Sequence, residues 1–261
     1  MALLLVLFLG LAAGGCEDSS MPRTLSHKAK ALWEQGNYRD AARNFVSLSE
    51  LYPNHPLAED SLFWAASIYA EYLDDRTLAA RYYQQLLGQF PQGEYAVQAR
   101  ESLAAVYEED KSTRIRAIQL YRQLLTEPST RERHHDYQFR LGLLNLKRGE
   151  LDQARYEFRT LLKAYPDSPH IPETHYLVGY SYYLEERYPL ALAIFDQLAR
   201  RFPNMIYAQQ ARFFMADTLE EQGQVRDALR VFESLEGRYH NEEILATRIQ
   251  SLKSRLRRSV R

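Results

Sequence analysis

An alanine recurs six times along this chain of 261 residues, at Ala41, Ala79, Ala117, Ala154, Ala191 and Ala228, with separations of 38, 38, 37, 37 and 37. Alanine fills about one position in ten of an average protein, so six hits by chance have odds on the order of 10⁻⁶. A period of this length marks an array of supersecondary units that bury their hydrophobic faces against one another. Four residues after each alanine stands an aromatic (Phe45, Tyr83, Tyr121, Phe158, Phe195, Phe232) and seven after it a leucine (Leu48, Leu86, Leu124, Leu161, Leu198, Leu235). Spacing i, i+4, i+7 is one stripe of an α-helix, here helix B of the unit.

Twelve residues before each alanine is a small residue (Ala29, Ser67, Ala105, Gly142, Gly179, Ala216), which marks helix A. Five before it are Gly36, Asp74, Ser112, Gly149, Glu186 and Gly223, as a helix end and tight turn favour. Pro53, Pro91, Pro166 and Pro203 follow twelve after the alanine, each behind an aromatic, and close helix B. The third unit slips, with Pro128 one place early, and the sixth has His240 there. The expected unit is a helical hairpin.

Composition agrees with an all-helical chain: Gly 11 and Pro 10 are few, and sustained alternation of apolar and polar residues is absent. Lys+Arg 33 against Asp+Glu 34 leaves a net charge of −1, which removes the strong field of a dedicated nucleic-acid binder. The single cysteine excludes a disulfide framework and any multi-cysteine metal site.

That cysteine follows an uncharged apolar run from Ala2 to Ala13, of about the length of a secretory signal core and too short to span a bilayer. Leu11-Ala12-Ala13-Gly14-Gly15-Cys16 resembles a bacterial lipobox, which implies cleavage before Cys16 and lipidation of its thiol. The competing reading is a free cysteine behind an ordinary signal. No Lys or Arg precedes the run, which suggests an initiator further upstream. The expected organisation is a signal peptide over 1–15, a lipidated tether over 16–23, six repeats over 24–240, and a C-terminal capping helix with basic tail over 241–261.

Small residue, turn, alanine, aromatic and terminal proline, in this order, resemble the tetratricopeptide repeat, and the resemblance covers nearly the whole mature chain. The period exceeds the family's 34 residues by three or four. Long units with Tyr52-Pro53 and Tyr165-Pro166 junctions behind a lipobox look like the BamD family of barrel-assembly lipoproteins. The resemblance implies an all-α, tetratricopeptide-type α-solenoid of six helical hairpins plus the capping helix. It also implies a non-enzymatic interaction scaffold anchored on the periplasmic face of the outer membrane, serving outer-membrane protein assembly. A pilotin or a Tol-associated cell-division adaptor of the same architecture stays open. Expected partners are envelope proteins or extended peptide segments, a barrel-assembly core protein among them, with the membrane reached through the lipid and no nucleic acid. No cofactor and no metal is expected.

Residues that could carry chemistry have plainer readings. His134 and His135 are adjacent and diverge by about 100° on a helix, and His170 and His175 are five apart, not the i, i+4 pair of a helical metal site. Glu108-Glu109-Asp110, Glu185-Glu186 and Glu220-Glu221 recur in similar registers and read as a solvated edge facing Arg76, Arg114, Arg187 and Arg226 across the turn. Lys253, Arg255, Arg257, Arg258 and Arg261 read as a frayed end. No phosphate-binding glycine loop or nucleophile elbow is present.

In the family the concave face is lined by helix A. Counted from the small residue, that face holds Trp64, Phe139, Tyr176 and Phe213 three places before, Lys30 and Tyr180 one after, and Trp33 and Tyr183 four after. Tyr176, Tyr180 and Tyr183 form an i, i+4, i+7 stripe flanked by Phe139 and Phe213. With Trp64, these are the expected groove residues, since aromatics offer large contact area at little rotamer loss. Packing of the same rings between repeats is the alternative.

Overall fold

The computed structural model describes residues 20–258; Cys16, the signal segment and Arg261 lie outside them. Among the described residues there are thirteen α-helices, one 3₁₀ segment and no strand. Contacts divide the chain into two compact units that meet at Val106 and Tyr107. The first holds α1 (Ser20–Glu34), α2 (Tyr38–Leu51), α3 (Leu57–Glu71), α4 (Arg76–Gln89) and most of α5 (Ala96–Glu109). The second holds α6 (Arg114–Leu124), the 3₁₀ segment Pro128–Arg133, α7 (His134–Lys147), α8 (Leu151–Ala164), α9 (Ile171–Leu184), α10 (Tyr188–Arg201), α11 (Ile206–Glu221), α12 (Val225–Glu233) and α13 (Glu242–Arg258). Ser20 to Arg23, in the stretch expected as tether, already belong to α1. The fold is an all-α array of helical hairpins.

The repeating alanines sit at 0% exposure in all six units, and the aromatics four residues on are at most 5% exposed. Each buried aromatic contributes roughly 1.5–3 kcal/mol relative to solvent exposure. In the second, fourth and fifth hairpins the ring meets the small residue of its own helix A. A Cβ built on Gly142 would overlap the ring of Phe158, and one on Gly179 the ring of Phe195. Where the ring is a tyrosine, its buried hydroxyl needs a polar partner. Ser67 Oγ lies 3.0 Å from Tyr83 Oη, and the Tyr121 hydroxyl donates to Glu108. The small column therefore reads glycine opposite Phe158 and Phe195 and serine opposite Tyr83.

The third unit departs from this register. Ala105, expected in the small column, is exposed, while Ala104 is buried at 0%. Tyr121 turns to Glu108, one turn further along α5. Glu108 is correspondingly buried, and Arg140 of α7 pairs with it at 3.2 Å. The solvated-edge reading holds for the second acid of each pair and is corrected for the first, which turns inward to an arginine; of the arginines expected across the turn, Arg187 reaches Glu185 at 3.7 Å. Glu185 pairs with the buried Arg155 at 2.8 Å, and Glu220 with Arg248 and Arg255 of α13 rather than with Arg226. Of the basic C-terminal residues, Lys253 pairs with Glu233 and Arg255 with Glu220, so that part of α13 is docked rather than frayed, with Leu245, Ile249 and Leu252 buried; Arg257 and Arg258 are exposed.

Helix ends follow their sequence signals. Tyr52, Phe90, Tyr165 and Phe202 are the C-caps of α2, α4, α8 and α10, and each backbone N–H donates to the carbonyl of the column leucine four residues back. The proline that follows cannot extend the helix. The A-to-B turn places one residue in the left-handed region: Gly36 (φ 78°), Gly149 (80°) and Gly223 (76°), but also Asp74 (48°) and Glu186 (57°). A side chain there is disfavoured by roughly 1–2 kcal/mol, which glycine avoids at some loss of unfolded-state restriction. Glu186→Gly should therefore stabilise the chain by about 0.5–1 kcal/mol, and Gly149→Glu should destabilise it by a similar amount. Urea unfolding followed by circular dichroism reads both; two changes of the same sign would contradict the turn geometry.

Candidate functional site

Two aromatic surfaces carry the residues singled out above, one in each unit. In the first unit Trp64 on α3 faces Trp33 on α1, with ring centroids 5.1 Å apart. They wall a cavity of about 370 Å³ whose other lining residues are Lys30, Glu34, Phe45, Asp60 and Tyr95. Phe63 braces Trp64 edge-on at 5.5 Å and stacks on Tyr95 at 4.5 Å. The Tyr95 backbone N–H donates to Glu59 Oε1 at 2.8 Å, which pins the segment entering α5. Burial raises the Asp60 carboxyl above its ordinary 3.8, and the nearby Lys30 ammonium partly offsets the rise. An apolar wall with one cation and two carboxylates at its rim suits a hydrophobic side chain carried on a polar backbone. Asp60 and Tyr95 were not legible as lining residues, because neither falls in a column of the repeat pattern.

In the second unit Tyr176, Tyr180 and Tyr183 form a ladder along α9, with successive centroids 6.0 and 6.3 Å apart and planes within 16° of parallel. All three are half-buried. Their neighbour across α11 is Phe214, which meets Tyr180 and Tyr183 edge-on at 5.1 Å each. Phe213, expected beside the stripe, is a core side chain instead: it is 9% exposed, packs on Phe232 and stacks on Tyr239 at 4.7 Å. One residue of register separates the two rings, and the adjacent Phe-Phe pair gave no basis for choosing between them. Phe139 is likewise buried, at 5% exposure, against Phe158. The six expected groove residues divide by surroundings. Tyr176, Tyr180 and Tyr183 come together with Phe214, Phe139 and Phe213 lie in the core, and Trp64 belongs to the first unit's cavity.

The ladder is fixed by its polar ends. The Tyr183 hydroxyl donates to Asp217, a buried carboxylate of α11 that also pairs with Arg248 of α13. At the other end Tyr176 lies 6.2 Å from Tyr207, whose phenol is raised to about 12 by burial and by its hydrogen bond to Glu173. Burial is also what pushes the Tyr176 phenol well above its ordinary 10.0. Beneath the ladder, Tyr182 is covered by the guanidinium of Arg155 at 4.6 Å. The arrangement is a rigid, half-exposed aromatic face with hydroxyl groups at its edge.

Residues 131–242 match a family model described as outer membrane lipoprotein (YfiO), and residues 28–93 match a tetratricopeptide-repeat model. Among solved structures, a tetratricopeptide repeat protein from Parabacteroides merdae is 18% identical, with 91% of this chain and 87% of that chain covered and a TM-score of 0.60. PilW, a type IV pilus biogenesis factor, is 15% identical over 88% of this chain and 97% of its own, with a TM-score of 0.54. PilF of Pseudomonas aeruginosa is 15% identical over 90% of this chain and 98% of its own, with a TM-score of 0.51. At such identities the likeness is one of fold. No curated protein matches the sequence. The chain has the helical-hairpin fold of tetratricopeptide-repeat proteins and resembles the outer membrane lipoproteins of the BamD type.

The raised phenol of Tyr176 gives the ladder a pH signature. Because the unfolded chain ionises this group first, its contribution to stability is intact below pH 10 and drains away as pH climbs toward the raised value. Tyr176→Phe should blunt the alkaline loss of stability, by up to about 1.4 kcal/mol per pH unit above the ordinary value. Urea midpoints measured across the alkaline range should separate the two proteins; parallel curves would show that the ring is not desolvated.

Proposed function

We propose that this chain is a non-enzymatic adaptor of the bacterial envelope, held to the periplasmic face of the outer membrane by a lipid on Cys16, which binds an extended segment of a protein partner during outer-membrane protein assembly. The observation that carries this reading is the outer membrane lipoprotein match over residues 131–242, the stretch that contains Tyr176, Tyr180, Tyr183 and Phe214. Tetratricopeptide and YfiO families are scaffolds of protein interaction, and half-buried aromatics are the side chains from which interaction hot spots are built. Among the described residues no helix is long and apolar enough to cross a membrane, in keeping with attachment through a lipid. We take Tyr180, Tyr183 and Phe214 as the contact surface of the second unit and the Trp33–Trp64 cavity as that of the first. Phe139 and Phe213 support from beneath.

A second reading is an adaptor of pilus assembly, which the likeness to PilW and PilF favours. It rests on fold alone, whereas the lipoprotein match is one of sequence.

Affinity capture from detergent-solubilised envelope, with the full-length lipoprotein as bait, distinguishes them. Recovery of the barrel-assembly core protein is expected, reduced by about 30-fold in Tyr180→Ala, which corresponds to about 2 kcal/mol. The thermal stability of Tyr180→Ala should be nearly that of the parent, and Cys16→Ser should leave the membrane fraction. Enrichment of pilus machinery instead would favour the second reading. If Tyr180→Ala lowers stability as much as Phe158→Ala does, the tyrosine ladder is packing and not a contact surface.

A further inference from the structure

His135 and Asp136 open α7, and His170 is the N-cap of α9. They stand nearly one repeat apart, at the same place in consecutive hairpins of the second unit, which is why pairing by local spacing overlooked them. Asp136 Oδ1 lies 2.7 Å from His170 Nε2 and 3.2 Å from His135 Nδ1. One ligand atom from each of the three residues falls within 4.8 Å of the other two. We propose that His135, Asp136 and His170 bind one divalent transition-metal ion of the zinc class.

The distances suit such an ion. Tetrahedral bonds of about 2.0–2.1 Å place ligand atoms roughly 3.3–3.4 Å apart. The Asp136–His135 separation of 3.2 Å falls just short of this value, and the Asp136–His170 contact of 2.7 Å, now a hydrogen bond, has to open by roughly half an ångström. Rotation of the short aspartate side chain supplies that. The imidazole of His170 is held in place, because it stacks flat on the buried Phe139, 4.2 Å between centroids and 3° from parallel. Ser168 fixes the other side: its hydroxyl accepts from the His170 backbone N–H at 3.2 Å and lies 3.4 Å from His135 Nδ1. That single ring nitrogen therefore faces a carboxylate oxygen and a hydroxyl at once and can hydrogen-bond well to one of them. A cation in the centre satisfies both imidazoles and the carboxylate together.

The donor set selects the ion. Two imidazoles with one carboxylate suit zinc, cobalt, nickel or copper, whereas calcium and magnesium take oxygen ligands. Side-chain exposures of 26%, 44% and 27% for His135, Asp136 and His170 leave the outer side open. Three protein ligands and a water then complete the tetrahedron. Bound there, the ion links the first turn of α7 to the first turn of α9, so it adds a joint between two hairpins that Arg155 and Glu185 already bridge at the far end of α9.

The test uses the full-length chain in detergent, purified without a histidine tag and stripped with chelator. Titration with cobalt(II) should produce visible d–d absorption that saturates at one ion per chain and is displaced by one zinc ion. His135→Gln, His170→Gln and Asp136→Asn should each weaken binding by at least ~10-fold, a loss that even supporting residues of metal sites produce. His240→Gln, exposed in the same unit, should bind as the parent does. Zinc should raise the unfolding temperature of the parent and not of Asp136→Asn, with circular dichroism confirming that each variant is folded. Absence of a saturable cobalt spectrum, or one-to-one binding unchanged in all three variants, would overturn the site.

Discussion

The contact on which the packing depends is an aromatic ring of helix B seated on the small residue sixteen places earlier on helix A, as in the second, fourth and fifth hairpins; the third breaks the register. The contact sets how closely the two helices approach. At Gly142 and Gly179 the approach is such that no Cβ fits, since the rings of Phe158 and Phe195 fill the place it would take. Protein interiors are packed to crystal-like density, so a methylene in excess there forces rings off their rotamers. The alanines, leucines and aromatic C-caps follow from this closure: the alanine lets the neighbouring helix lie against the same stripe, and the leucine carbonyl receives the N–H that ends the helix.

Much of this was legible because the constraint repeats. A residue type that one hairpin requires is required again 37 or 38 places later, and the turn residue at five before the alanine proved left-handed even at Asp74 and Glu186. Legibility failed where the repeat did. In the third unit the polar partner of Tyr121 is Glu108, so α5 is set with Ala104 inward and Ala105 in water. A single sequence gives no sign of that change of register, since two alanines stand side by side. The same ambiguity hid Phe214 behind Phe213, and the periodic argument could not see that Tyr239, from the segment before α13, covers the latter.

Polar side chains were read as an edge and turned out to be joints. Arg155, 3% exposed, bridges Glu185 and Asp152 while lying over Tyr182. Asp217 gathers Tyr183 and Arg248, and so links the tyrosine ladder of α9 to the C-terminal helix. Removing one partner of such a buried group leaves the other uncompensated, which is the expensive outcome. These joints fix the orientation of α9 and α11, the helices that present the ladder and Phe214. A rigid aromatic face loses little conformational entropy on binding, which fits the adaptor role proposed above. The histidine and aspartate cluster lies at the opposite end of α9, again between consecutive hairpins.

The dependence of a hairpin on its ring-to-glycine contact is tested most directly by a double-mutant cycle at Gly142 and Phe158, read by urea unfolding. Alanine at a helical glycine gains about 1 kcal/mol from propensity alone, whereas overpacking a core costs about 1–3 kcal/mol. In the parent, Gly142→Ala should therefore destabilise on balance. Once Phe158→Leu has withdrawn the ring, the same substitution should become neutral or stabilising, so that the sign of its effect changes within the cycle. Equal effects of Gly142→Ala in the two backgrounds would contradict the account.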